Sequence, residues 1–547
     1  MRKKFLAVFG VLLAGAALSA EGAPKFYPDD PLMSEPKPRD ASKAIRRKIS
    51  DYYDFFTQMF AYPGEQTGEK VNGKVVPPIP AQAVNSLGEP MKSAWWEPRH
   101  YYNKMSLEEL VRGAGNADAP SADGKWTVVK AKSEGVTPGF EILDSKKRRY
   151  VLKFDPIEYP EIATAPDALV SKFFYALGYN VPQNYIVHFR REDLELGEDV
   201  QIVDAKGKAR KMTSRDVTEL LMRVPRDKEG RYRGGASLYL SGKPLGPYKY
   251  YGMRRDDPND IVPHEHRRDL RGLAVFCAWL AHDDSRAINS LDMLHAEGGT
   301  SFIRHYLIDF GSTLGSASYG PNSPRSGFEY LFERDAAAKN FFSLGLAVPY
   351  WAKAKYPPYK SVGRFESKLF RADEWVPEYP NPAFTNRLPD DSFWAAKQVM
   401  AFTDAEIRAI VKTGEYSDPG AEKWIADALI ERRDKIGKAY FAEILPLDRF
   451  RVEADRLAFD DLARKHGMTS SPGYVTSDQG YRIEWSTFNN GDGTMTPLSA
   501  KGLDIPQAQG ASYVMARVQG QDAKKTITVY LRRGAGSWQV VGVERGW

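Results

Sequence analysis

Asp309-Phe310-Gly311 stands directly after the apolar run Tyr306-Leu307-Ile308. An acid at the end of a strand, followed by a flexible glycine, suits a carboxylate that holds a metal ion at the mouth of a sheet. Upstream, His282-Asp283-Asp284-Ser285-Arg286-Ala287-Ile288-Asn289 follows the apolar run 273–280 and gathers two acids, a base and an amide in one loop. Lys153 sits inside Val151-Leu152-Lys153-Phe154. Lysine is rarely buried unless it is paired. One hairpin upstream, the segment 133–139 carries Gly135 and Gly139, whose backbone amides can cover phosphate oxygens. These residue types meet the needs of phosphoryl transfer. That reaction takes hard oxygen ligands for magnesium, a carboxylate to orient the attacking hydroxyl and a cation over the phosphates. Each piece also has a purely structural use. Asp-Phe-Gly is a short and common tripeptide, Lys153 can snorkel from an edge strand, and His282-Asp283-Asp284 can end a helix. The chain order of lysine strand, Asp–Asn loop and Asp-Phe-Gly is what favours the chemical reading.

The elements that must position these residues follow from hydrophobic period. Alternation at 126–132, the short apolar run 140–143 and the strand signal 150–154 predict an antiparallel start, with a hairpin turn at Asp144-Ser145-Lys146-Lys147. A helix is predicted over 166–177, with Pro166 in its first turn and Gly178 at its close. Further helices are expected at 41–60, at 106–112 behind the capping box of Ser106 and Glu109, at 214–222, 266–280, 392–402 and 421–444. Strands are expected at 185–189 and 305–308. The stretch 224–260, crowded with Arg, Gly, Pro, Asp and Tyr, shows no regular period. Two polar patches precede the buried helix, Arg254-Arg255-Asp256-Asp257-Pro258 and His264-Glu265-His266-Arg267-Arg268-Asp269. Two histidines two apart are a weak metal signal without a third ligand. Arg267 and Arg268 could instead steer an anionic substrate, and a solvated helix start accounts for the patch equally well.

Arg2, Lys3 and Lys4, the apolar run 5–18 and small residues to 23 predict a signal peptide over 1–23 and an exported chain, periplasmic or extracellular. The run is short for a membrane span, and no later segment is apolar enough to be one. The chain has 547 residues and a single cysteine, Cys277, which lies in an apolar run and reads as a small buried hydrophobe. The 77 basic and 71 acidic residues form no compact basic stripe, so nucleic acid is not an expected partner. A break near 445–475 precedes strand signals at 481–487, 513–518, 526–532 and 538–543. These predict a small antiparallel β domain that acts as a structural or binding appendage, with an envelope partner as one use.

With the order Lys153, Asp284, Asn289, Asp309, the stretch 125–445 resembles the protein-kinase-like superfamily, and most of all its divergent bacterial branches. The resemblance implies an α+β fold with a two-lobed core: a small lobe of strands plus one helix over a helical large lobe, with ATP between them. It implies that Asp284 positions the acceptor hydroxyl, that Asn289 and Asp309 hold Mg2+, and that Lys153 holds phosphate oxygens. Four features depart from the family pattern. His282-Asp283 stand where His-Arg is usual, the glycine loop has two glycines rather than three, and no Ala-Pro-Glu follows Asp-Phe-Gly. The helix 166–177 also contains no Glu to pair with Lys153; Glu161 is the nearest candidate and Asp167 the second. The division expected is 24–124 as an extension with a helix, 125–260 as small lobe and insertion, 261–445 as large lobe, 446–474 as linker or helix and 475–547 as β domain. Two functions are expected: an ATP- and Mg2+-dependent phosphotransferase acting on an unknown hydroxyl acceptor, or a pseudokinase or ligand-binding scaffold of the cell envelope without catalysis.

Overall fold

The computed structural model describes residues 23–64, 70–71, 74–75, 77–115, 119–131, 139–203, 208–332, 348–468 and 480–547. The expected signal peptide up to residue 22, Gly135 and part of the expected linker lie outside the described residues. The chain is mixed α and β. A six-stranded sheet runs in the order Asn184–Phe189, Tyr232–Leu238, Arg149–Lys153, Gly139–Leu143, Trp126–Ala131, Leu194–Leu196. All neighbours are antiparallel except Trp126–Ala131 with Leu194–Leu196. The Asp144 turn forms because Oδ1 of Asp144 accepts the N–H groups of Lys146 and Arg148 at 3.0 and 2.8 Å.

Alternation decides which face Lys153 occupies. Tyr150 and Leu152 are fully buried and pack with Phe140, Ile142 and Val128 on one face. Val151 and Lys153 therefore stand on the other. The central strand Tyr232–Leu238 falls inside the stretch that shows no period. Its Gly234 and Gly235 erase the apolar alternation, yet a Cβ at Gly234 would press on the Phe154 ring at 3.2 Å. The strand is legible only once its neighbours are known.

Helix Thr164–Ala176 packs beneath the sheet into a large core shared with Arg268–Leu280, Pro389–Val399, Asp404–Lys412 and Pro419–Glu443. Arg268–Leu280 is buried along its whole length, Cys277 included. It approaches Pro389–Val399 so closely that a Cβ at Gly272 would lie 2.4 Å from the Trp394 ring. Arg267 and Arg268 are not surface steering groups. Both are buried, Arg267 on Asp269 at 2.9 Å and Arg268 on Asp391 at 3.0 Å. His264 lies 2.8 Å from Asp260, and His266 meets Arg271 at 2.8 Å, so neither is arranged as a metal ligand.

Three expectations need correction. The helix expected over 41–60 is confined to Asp51–Phe56, capped by Ser50 and followed by the π-helical turn Thr57–Ala61. The strand before Asp-Phe-Gly is one arm of a hairpin, Ser290–Glu297 with Thr300–Leu307, turning at Gly298 and Gly299. The segment 446–474, expected as linker or helix, holds the short helix Leu462–Lys465 but also the hairpin Leu447–Glu453 with Arg456–Asp461. Leu445, Leu447 and Leu457 belong to the core of the C-terminal five-stranded sheet, beside Trp485, Val514 and Val529. That sheet includes the strand Met495–Lys501, which is not among the strands expected from the sequence. Asp448 ties the sheet to the helical core, pairing with Lys397 at 2.9 Å and Arg545 at 3.1 Å. Among the described residues no helix is long and apolar enough to cross a membrane.

Candidate active site

Lys153 ends its strand directly opposite Gly139 on one side and Gly235 on the other. Paired residues on neighbouring strands project to the same face. Both neighbours of Lys153 lack side chains, so neither crowds its stem, and Thr164 of the helix packs over Gly235. Gly139 is therefore placed beside Lys153 by register, whereas Gly135 lies outside the described residues. Gly235 has no counterpart among the residues singled out from sequence. Its signal is only the Gly-Gly pair in a stretch without period.

The Lys153 Nζ lies 2.8 Å from Asp309 Oδ1 and 3.6 Å from Asp167 Oδ2. Burial opposes the lysine charge, and the two carboxylates outweigh it, holding the ammonium above the ordinary lysine range. The partner of Lys153 from the helix is thus Asp167, in the first turn of Thr164–Ala176. Glu161 does not fill that role. Its backbone is left-handed, with φ 71°, and its carboxylate accepts the Ser417 N–H at 3.1 Å. Asp167 has a second task, because its Oδ1 accepts the Phe310 N–H at 2.9 Å. One side chain thereby fixes both the lysine and the backbone that follows Asp309. Asp309 takes the left-handed conformation, φ 63° and ψ 67°, which Asp tolerates better than most residues.

The 290–307 hairpin explains how the backbone of Asn289 comes beside Ile308, next to Asp309. Ser290 pairs with Leu307 at its open end, and the Asn289 carbonyl accepts the Ile308 N–H at 3.1 Å. The residues on either side of the hairpin are therefore neighbours in space. Asn289 Nδ2 donates to the Asp284 carbonyl at 2.7 Å, which ties the two ends of the loop together and leaves Oδ1 as the acceptor of that amide. Asp284 is the more accessible acid of the loop, with 21% of its side chain exposed. Arg286 donates its Nε to Asp284 Oδ1. Burial pushes the Asp284 carboxyl up to about 6 against the opposing charge of Arg286.

The other members of the loop are braced from below. The His282 ring is buried and packs 6.1 Å from the Phe310 ring and 5.9 Å from Phe174, and burial pushes its pKa down to about 4, so the imidazole is neutral at pH 7. Asp283 is buried as well. Its Oδ2 accepts Asn322 Nδ2 at 2.8 Å and the Ser326 hydroxyl, pinning the segment that follows Asp-Phe-Gly. Burial pushes the Asp283 carboxyl up to about 7. The N-terminal helix Asp51–Phe56 closes the outer side. Asp51 pairs with Arg286 at 2.8 Å, and Asp54 accepts the Ala287 N–H at 3.2 Å. Sequence reasoning does not find these two acids, since nothing local links residue 51 to residue 286.

Among the described residues no group of three or more His, Cys, Asp or Glu side chains is arranged to hold a metal ion. The candidate set is one carboxylate, Asp309, and one amide, Asn289. Both are hard oxygen donors, and Asp309 is half exposed. Mg2+ commonly takes only one or two protein ligands and completes its shell with water and phosphate, so this set fits it.

No protein-family model matches the chain, and no curated protein does. Among solved structures the chain is similar to the crystal structure of the Golgi casein kinase, at 8% identity over 61% of this chain and 75% of that one, with a TM-score of 0.28. It is similar also to the crystal structure of the Golgi casein kinase with Mn/ADP bound, at 9% identity over 61% and 73%, with a TM-score of 0.29. TM-scores this low do not establish a shared fold.

Proposed function

We propose that this chain is a two-lobed, protein-kinase-like phosphotransferase that moves the terminal phosphoryl group of ATP to an acceptor hydroxyl. The observation that carries the reading is the convergence of three separate elements. Lys153 from the sheet meets Asp309 from the hairpin end at 2.8 Å, while the Asn289 amide is tied to the Asp284 backbone at 2.7 Å. A scaffold has no physical need for this combination.

Lys153 holds phosphate oxygens, and its ion pairs to Asp167 and Asp309 keep its Nζ in place before the nucleotide arrives. Asp284 orients the acceptor hydroxyl and takes its proton. The acceptor oxygen bonds to the terminal phosphorus as the bond from that phosphorus to the bridging oxygen of ADP breaks. Arg286 holds Asp284 in one orientation and keeps its carboxylate ionised near neutral pH. Asp309 and Asn289 would hold the divalent cation, which when bound offsets phosphate charge. Because an acid with a pKa of about 6 is mostly ionised at pH 7.5, Asp284 can accept a proton there. The reading retains an exported chain, on the charged and apolar pattern of residues 2–23. A chain lacking residues 2–22 should stay in the cytoplasm, and its recovery in the envelope would remove that part.

The test is nucleotide binding and turnover by the purified chain with Mg2+, with and without Asp309→Ala. Metal-dependent turnover that Asp309→Ala abolishes supports the enzyme. Binding without turnover leaves a nucleotide-binding scaffold. Turnover unchanged by the substitution overturns the role of Asp309.

A further inference from the structure

The segment 37–48 forms neither helix nor strand, yet it is tied down along its length. The Ala41 N–H donates to the Ser301 carbonyl and the Arg47 N–H to the Leu245 carbonyl, both at 2.7 Å. Asn259 accepts the Arg39 N–H at 2.7 Å and donates to its carbonyl at 2.9 Å. The Ile45 N–H donates to Asp256 at 2.9 Å. Ala41 and Ala44 are the inward side chains, packed on Leu245 and Ile303. The side chains between and after them, Lys43, Ile45, Arg46 and Lys48, are exposed. The adjoining loop 253–261 is arranged in the same way. Arg254 is buried on Asp292 at 2.8 Å and donates to the Ile45 carbonyl, while its neighbours Met253 and Arg255 are exposed. Ile261 follows Asp260, which accepts the Arg254 N–H.

Two properties of this face go together. Its aliphatic side chains are laid open to solvent: Ile45 is 67% exposed, Ile261 70% and Met253 46%. Its cations are unspent. Lys37, Arg39, Arg46, Lys48 and Arg255 are exposed, and none of them has an ion-pair partner among the described residues. The acids nearby are committed. Asp256 pairs with Arg47 at 2.7 Å, and Asp40, which lies near Lys43, accepts the Ser42 hydroxyl at 2.6 Å and the Ser301 N–H at 3.2 Å. Scattered single aliphatics on a surface are ordinary. Here they alternate with uncompensated positive charge, which calls for an anionic partner with an apolar interior. A protein partner would favour a core depleted of charge inside a polar rim. Alternation residue by residue suits a bilayer surface, where an aliphatic side chain enters the acyl boundary and the cation beside it stays among the headgroups.

We propose that this face docks the chain on a bilayer surface rich in acidic phospholipid, with Ile45, Met253 and Ile261 entering the acyl boundary and Arg46, Lys48 and Arg255 meeting phosphate headgroups. The docking claim does not depend on the phosphotransfer reading. The two sites are neighbours along the chain, because the helix Asp51–Phe56 begins three residues after Lys48 and its Asp51 pairs with Arg286.

The probe is a vesicle of phosphatidylglycerol and phosphatidylcholine in equal parts, compared with phosphatidylcholine alone. The chain from residue 23 onward is used, since it holds every described element and lacks the apolar run 5–18, which would bind vesicles by itself. Flotation at about 0.1 M salt should show binding at least about tenfold tighter to the mixed vesicles. Arg46→Glu together with Lys48→Glu should weaken that binding at least about tenfold. Ile45→Ser together with Ile261→Ser should weaken it severalfold and keep the preference for phosphatidylglycerol. All four side chains are exposed, so Tm should stay near the wild-type value in both variants. Equal binding to the two kinds of vesicle, binding to neither, or wild-type affinity in either variant overturns the proposal. Binding of polyglutamate or a single-stranded oligonucleotide as tight as that of the mixed vesicles would assign the face to a soluble polyanion and overturn it as well.

Discussion

Lys153 Nζ and Asp309 Oδ1 lie 2.8 Å apart across 156 positions of sequence. The pair joins the end of a sheet strand to the end of a hairpin, and Asp167 adds a third charge at 3.6 Å. Removing one partner changes what the others can hold. Asp309→Ala should abolish Mg2+-dependent nucleotide binding. Lys153→Ala should weaken nucleotide affinity at least about tenfold, the scale of a lost charge-assisted contact, and leave the fold intact. Titration of a fluorescent nucleotide with and without Mg2+ reads both. Wild-type affinity in either variant would detach that residue from the phosphates.

Asp284 is expected to act on the acceptor and not on the nucleotide. Asp284→Ala should lower transfer by at least ~100-fold, the usual scale for a positioned proton-transfer group, with nucleotide affinity spared. The carboxyl pushed up to about 6 is active when ionised, so the rate should climb through about pH 6 and level off above it. Arg286 holds that carboxyl down, so Arg286→Gln should move the climb to higher pH. A flat profile from pH 5 to 8 in the wild-type chain would remove Asp284 as the proton acceptor.

How much of this is legible in sequence differs residue by residue. Lys153, Asp284, Asn289 and Asp309 stand out because each carries a local signal: a charge in an apolar strand, a fixed spacing in a polar loop, or an acid before a glycine. Gly139 is singled out for a backbone amide that can cover phosphate oxygens, and the structure gives it a register position beside Lys153. Asp167 is harder to read. It sits in the first turn of a helix, where any acid favours the helix dipole, and only the fold shows that it faces Lys153. Glu161 lies just before the helix in chain order, but its left-handed backbone turns it to Ser417. Asp51, Asp54 and Gly235 depend on contacts between distant segments, which no window of sequence contains. The 290–297 strand escapes notice because its polar residues, Asp292 among them, are satisfied by buried partners such as Arg254 at 2.8 Å.

Asp283 supplies a test through stability rather than activity. Its carboxyl is pushed up to about 7 by burial, whereas an unfolded chain titrates it near 4. Between those values the unfolded state has released the proton and the folded state keeps it. The unfolded state then binds fewer protons, so stability falls as pH rises from about 4 to about 7. Asp283→Asn keeps an oxygen for Asn322 and Ser326 and has no charge to bury. It should raise Tm at pH 7.5 and change it little at pH 4.5. Thermal unfolding at the two pH values checks this, and an equal shift at both would show that the carboxyl does not titrate in this range.

Asp167 separates a structural role from a charge role within one side chain. Its Oδ1 accepts the Phe310 N–H at 2.9 Å, and its Oδ2 faces Lys153. Asp167→Ala removes both. The Phe310 amide then loses its acceptor in a buried setting, since Phe310 and Asp167 are 0% and 3% exposed. An unsatisfied buried donor costs about 1–3 kcal/mol, and denaturant unfolding should register a loss of that size. Asp167→Asn retains an oxygen for the amide and drops only the charge. Its stability should stay closer to wild type than that of the alanine variant. Lys153 in the asparagine variant keeps a single carboxylate partner, Asp309, which is also the residue assigned to the cation. The lysine and the cation then compete for one carboxylate with no second acid to share the load. Nucleotide affinity should therefore fall in both variants, and in the asparagine variant the fall should shrink as Mg2+ is raised. Equal destabilisation by Asn and Ala would show that the Phe310 contact is not what Asp167 contributes. Nucleotide affinity untouched by Asp167→Asn would show that Lys153 is positioned without it.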